Sequence, residues 1–145
     1  MSFREKSLWV MLLGLAGASA FYSYNVASVN QVLQLNIDWR AMRVLPPMVG
    51  LFIAAVVVLV VFSVVGHAVM AIVDRRTEAD ERDRLIELKG ERVGGFVLAA
   101  GVFFSLWLAV VSTGNFAFTQ LLLGFWVLAQ ASDYAVQLWL HRRGR

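Results

Sequence analysis

From Val44 to Val73 the chain carries no side chain whose charge is fixed at neutral pH, and from Phe52 to Val65 it is almost all Val, Leu, Ile, Ala and Phe. A run this long and this apolar has one stable solution. Roughly 20 helical residues cross the hydrocarbon of a bilayer, and in lipid every backbone amide must be paired within its own segment. A valine-rich run therefore becomes a helix there, whatever its preference in water. Pro46 and Pro47 stand where that helix would begin. At that position the missing amide hydrogens would be unpaired anyway, and the fixed φ helps to start the turn. Composition agrees, since 59% hydrophobic residues in a chain of 145 exclude both an ordinary soluble domain and disorder.

Three further stretches follow the same logic: Leu8 to about Val29 and about Val93 to Thr113, both uncharged, and Phe116 to Leu140, which holds a single acid, Asp133. The last two are separated only by Gly114 and Asn115, so they form a tight antiparallel hairpin. The fourth stretch is about 37 Å long at 1.5 Å per residue, against a hydrocarbon core of roughly 30 Å, and must tilt or protrude. Arg4 and Lys6, a short apolar run and then Ala18-Ser19-Ala20 also resemble a secretory signal peptide with its cleavage site. Because apolar character continues through Phe21, Tyr22, Tyr24 and Val26, a retained first span is expected, with cleavage as the alternative. The expected fold is an all-α membrane protein, a four-transmembrane-helix bundle forming one integral membrane domain over residues 1–145.

The basic residues set an orientation. Arg4 and Lys6 precede the first span, six bases lie between spans two and three, and Arg142, Arg143 and Arg145 follow the fourth, eleven in all. The opposite face has only Arg40 and Arg43. The positive-inside rule then places both termini in the cytoplasm. Trp9, Trp39 and Trp139 fall near the ends of spans, where amphipathic rings sit at headgroup level; Trp107 and Trp126 lie deeper and read as packing residues.

Two polar connections remain. Asn30 to Leu45 mixes Val32, Leu33, Leu35, Ile37, Trp39 and Met42 with Asn, Gln, Asp and Arg. It reads as a segment lying along the membrane boundary, such as a short amphipathic helix, or alternatively as a lid. Asp74 to Arg92 holds seven acids and six bases in nineteen residues. Thr77 followed by Asp80 approximates a capping box, so a helical stub over 77–92 is expected to run into the third span. Glu78 with Arg82 and Asp80 with Arg84 are favourable four-residue pairs on it. The stub is either a solvated base for the bundle or a docking surface. For the second, Glu81, Arg82 and Asp83 supply charge, and Leu85, Ile86 and Leu88 supply an apolar side.

The run Asp80-Glu-Arg-Asp-Arg-Leu-Ile-Glu-Leu-Lys89, with Arg92 and Gly95-Phe-Val-Leu98 after it, resembles the segment before a membrane helix in the DUF2178-like small prokaryotic membrane proteins of unknown function. The resemblance implies about four spans and a prokaryotic source, hence the inner membrane. It brings no activity and no catalytic residues.

Ionisable residues inside spans are costly and are functional candidates by default. His67 and Asp133 lie about 10 Å and 13 Å before the nearest charged ends of their helices, and a pair between spans two and four could carry protons or bind a cation. Otherwise Asp133 is an interfacial or packing acid and His67 a hydrogen-bonded buried imidazole. His67 and His141 differ in depth, with no attachment motif, which argues against haem. A catalytic metal typically takes three protein ligands, more than these residues supply. Without cysteine, disulfides, thiolate sites and thiol nucleophiles are excluded. Gly14 with Ala18, Gly50 with Ala54, Gly90 with Gly94, and Gly101 with Ser105 have the spacing that lets membrane helices approach closely.

No phosphate loop, nucleophile elbow, zinc signature or nucleic-acid module occurs. The leading expectation is a non-enzymatic multi-pass protein without cofactor. It would act through helix packing and its charged loop, as a homo-oligomer or as an accessory to another membrane protein. The competing expectation is a small oligomeric transporter or channel using Asp133 or His67. Small multidrug-type transporters share the size and span count, but their key acid lies in the first span, which has none here.

Overall fold

The structure is a computed structural model that describes residues 3–32, 40–73 and 81–143; the side chains of residues 3, 4, 32, 67, 70, 71 and 73 lie outside that description. It consists of α1 (Phe3–Val32), α2 (Pro46–Val73), α3 (Glu81–Val111) and α4 (Phe116–Arg143), with no strand among the described residues. Each helix contains a stretch long and apolar enough to cross a membrane. Each of the four stretches expected to span is therefore part of a helix that begins or ends a few residues beyond or within the expected limits. His141, Arg142 and Arg143 occupy the last turn of α4, where cations match the negative end of the helix dipole. The charged stub from Glu81 to Arg92 is continuous with the third span in one helix. Thr77, Glu78 and Asp80, and with them the capping box and both four-residue pairs, lie outside the described residues.

The helices run up and down in turn. The α1–α2 pair is antiparallel: a β-carbon on Gly14 would lie 2.5 Å from Phe62, and one on Gly66 would lie 2.5 Å from Val10. Higher up, the Tyr22 and Phe52 rings meet edge to face at 6.4 Å. The α3–α4 pair packs along a complementary register. Gly90, Gly94, Gly101 and Ser105 form the buried face of α3. Opposite them stand Gln137, Asp133, Ala129 and Phe125 of α4, which repeat every four residues along one face. Small residues on one helix thus receive larger ones from the other, the arrangement expected where lipid removes any hydrophobic drive for association.

One end, hereafter the hairpin end, is held by its loops. The 114–116 turn hydrogen-bonds the 40–44 segment: Gly114 N–H donates to the Arg40 carbonyl at 2.8 Å and Phe116 N–H to the Met42 carbonyl at 3.0 Å. Val44 N–H donates to Asn115 Oδ1 at 2.7 Å. Beneath these bonds Val26, Met42 and Met48 form a buried cluster capped by Tyr22, Leu45 and Phe116. In the connection expected to lie along the membrane, residues 40 and 41 form a turn and residues 42–45 are irregular, and residues 33–39 lie outside the description.

Backbones approach closely between α1 and α2, α1 and α4, and α3 and α4, but not between α2 and α3 or α2 and α4, among the described residues. The bundle is therefore a ring with one side open. The small-residue face of α3 is used against α4. On α2, Gly50 faces open space, and Val57, Val61 and Val64 are exposed. The open side leaves an apolar crevice of about 770 Å³ lined by α2 and α4, with Tyr22 of α1 and Leu98 of α3 at its margins.

Candidate functional site

The polar residues singled out by sequence separate into two places. Asp133 lies in the α3–α4 seam. Its Oδ1 accepts a hydrogen bond from Gln137 Nε2 at 2.8 Å, one helical turn along α4. Gly90 and Gly94 of α3 lie against it so closely that a β-carbon on Gly94 would be 3.2 Å from the Asp133 β-carbon, and one on Gly90 would collide with Oδ1. The carboxylate is thus partnered and covered by a neighbouring helix. The side chain of His67 lies outside the described residues, so the His67–Asp133 pair does too; the α2 and α4 backbones that carry the two residues are not in contact.

The second place is the end of the bundle opposite the hairpin end. There His141 Nδ1 of α4 lies 3.7 Å from Asp83 Oδ1 of α3, while His141 Nε2 is buried without a hydrogen-bond partner. Glu5 of α1 is 2% exposed, and Arg142 lies over the Trp9 ring at 5.8 Å, tying α4 to α1. Arg143 stacks on Trp139 at 4.0 Å. These contacts close the base of α1, α3 and α4. No group of three or more His, Asp or Glu side chains that could hold a metal occurs among the described residues.

Of the five docking candidates, Glu81, Arg82, Leu85 and Leu88 are exposed, Leu85 at 56% and Leu88 at 60%. Asp83 is half-buried and turned to His141, and Ile86 is buried, so these two belong to the inner face of α3. The helical period explains the division, because positions 86, 90 and 94 lie on the packed side and 81, 85, 88 and 92 on the opposite one.

Two features escaped the sequence reading. Gln120 Nε2 of α4 donates to the Tyr22 hydroxyl of α1 at 2.8 Å, a polar bridge between membrane helices. The amide of Gln120 inside an apolar span was the available signal. The crevice beside it had none, since it arises from how the four helices are spaced.

Fold and site together define an all-helical protein with four helices long and apolar enough to cross a membrane. No protein-family model, curated protein or solved structure matches this chain.

Proposed function

We propose that this is a non-enzymatic multi-pass protein of a prokaryotic inner membrane that acts by contact, using the extension of α3 to hold a second copy or another membrane protein. The observation that carries the reading is the exposed pair Leu85 and Leu88 on the outer face of a rigid helix. At 1.5 Å per residue, Glu81 to Arg92 reach about 18 Å beyond the third span, so the pair stands clear of the hydrocarbon. Around it Arg82, Arg84, Lys89 and Arg92 are exposed with Glu81 and Glu91, the mixture of an apolar centre and a charged rim that contact surfaces favour. The eleven-to-two division of basic residues supports a cytoplasmic position for this extension and for both termini. Asp133, half-buried against Gly90 and Gly94, hydrogen-bonded to Gln137 and absent from the crevice lining, supports a structural acid better than a transport site.

The test is native mass measurement of the protein purified in mild detergent, alongside the double variant Leu85→Ser/Leu88→Ser. An oligomer or a stoichiometric hetero-complex in the parent, dissociated in the variant at unchanged melting temperature, is expected. A monomeric parent, or the same assembly in both proteins, overturns the reading.

A further inference from the structure

We propose that the open side of the bundle is a binding site for one membrane glycerolipid, with an acyl chain along the crevice between α2 and α4 and an ester carbonyl on the Tyr22–Gln120 pair. The inference stands apart from the docking surface on α3 and shares no residue with it.

Three hollows run into one another along this side. The largest, about 770 Å³, shares Tyr22, Phe52, Val56, Leu59, Leu123 and Trp126 with a second of about 220 Å³, into which Gln120 opens. A third, about 280 Å³, continues from Trp126 to Ser63, Gln130 and Tyr134. The volume lies within the roughly 300–1,000 Å³ of small-molecule sites. From Thr119 to Tyr134 the groove extends about 22 Å along α4, more than the roughly 15 Å half-thickness of the hydrocarbon core. That is room for the whole chain of one leaflet's lipid.

The polar pair supplies the anchor. Gln120 Nε2 donates to Tyr22 Oη, and the phenol proton then meets no acceptor among the described residues. Were the amide turned over, the phenol would donate to the Gln120 oxygen and the amide hydrogens would be left instead. Either arrangement leaves a donor facing the crevice, and a donor in hydrocarbon is costly without an acceptor. An ester carbonyl is such an acceptor and has no hydrogen of its own to place. Depth fits as well, because Gln120 is four residues inside the hairpin end of α4, about 6 Å by helix rise. A lipid's esters lie at the margin of the hydrocarbon, with its chain running inward, as the apolar lining does from Phe52 to Val60.

Gly124 allows a clean test. It lines the hollow of about 220 Å³ that Gln120 opens into, and a β-carbon there meets nothing within 4 Å, so Gly124→Leu fills the place where the ester would sit and also removes a helix-weakening glycine. Protein purified from membranes is passed through repeated detergent exchange, and residual lipid is measured by native mass spectrometry and extraction. The parent is expected to retain about one phospholipid per chain, Gly124→Leu and the independent filler Val56→Phe to retain none above background, and Tyr22→Phe/Gln120→Leu to retain it about fivefold more weakly, the loss of one hydrogen bond. Melting temperatures identify any variant that fails to fold, and the other filler then decides. A parent that retains no lipid, or equal retention in a folded filler variant, overturns the site. Retention of a prenyl quinone in place of a phospholipid overturns the glycerolipid assignment.

Discussion

Gly90 of α3 and Asp133 of α4 lie in direct contact, with no room for a side chain at Gly90. The contact lets a carboxylate be covered by a helix backbone while Gln137, one turn further, supplies its hydrogen bond. Gly90→Ala should therefore destabilise the protein by about 1–3 kcal/mol through overpacking. Gly95, one residue beyond the close-packed Gly94, has open space at its β-carbon; Gly95→Ala should be neutral or stabilising by up to about 1 kcal/mol, from helix propensity alone. Thermal or denaturant unfolding in detergent, with both variants side by side, separates a packing effect from a general intolerance of the helix. Equal losses at the two positions would contradict the seam.

The same geometry makes a prediction about Asp133. In Asp133→Asn the side-chain oxygen still accepts from Gln137 and the volume is unchanged, so stability should stay within about 1 kcal/mol of the parent. Cation or proton flux in reconstituted liposomes should be equal in parent and variant. A parent flux that Asp133→Asn abolishes at unchanged stability would place the acid in a pathway and favour a transporter.

At the hairpin end, a β-carbon on Gly114 would run into the backbone of Ala41 and Met42, atoms that cannot turn aside. Gly114→Ala should break the bond to the Arg40 carbonyl and cost about 1–3 kcal/mol. Asn115→Ala removes only the acceptor for Val44 N–H and should cost about 1 kcal/mol. The order of the two losses, measured by unfolding midpoints, checks that the turn is docked on the α1–α2 connection and is more than a short link between α3 and α4.

The helices were legible because membrane length and uncharged runs are one-dimensional signals: Pro46, the Gly114-Asn115 turn and the Phe116 start all lie within a residue or two of where sequence put them. Small-residue spacing identified partners unevenly. Gly90, Gly94 and Gly101 pack against α4 and Gly14 against Phe62, whereas Gly50, with the same pattern, faces open space. Spacing says that a helix can be approached and leaves unsaid whether another helix is there. The polar residues divided similarly. Asp133 was visible as an acid in a span, but its partner one turn away on the same helix was not singled out. Tyr22 and Gln120, 98 positions apart, are joined only by the fold. Asp83 was grouped with its neighbours Glu81 and Arg82, yet the helical period turns it inward to His141.

Orientation is the property on which the function of the α3 extension depends, and the chain is well suited to measuring it. With no cysteine of its own, any introduced thiol is the sole target for a membrane-impermeant maleimide. Ala41 and Arg84 are both exposed, one on the α1–α2 connection and one on the α3 extension, and the up-and-down order of the helices puts them at opposite ends of the bundle. With eleven bases at the Arg84 end and two at the other, the charge rule predicts that Ala41→Cys is labelled from outside intact cells, and Arg84→Cys only after the membrane is opened. The reverse pattern would move the α3 extension to the outer face and remove every cytoplasmic partner from consideration. Labelling of both positions in intact cells would mean two orientations in one population, as expected if the bases near Arg84 were neutralised by the seven acids around them. Asp and Glu contribute little to the rule, so the acids should not weaken the bias, and a single orientation is the expected result.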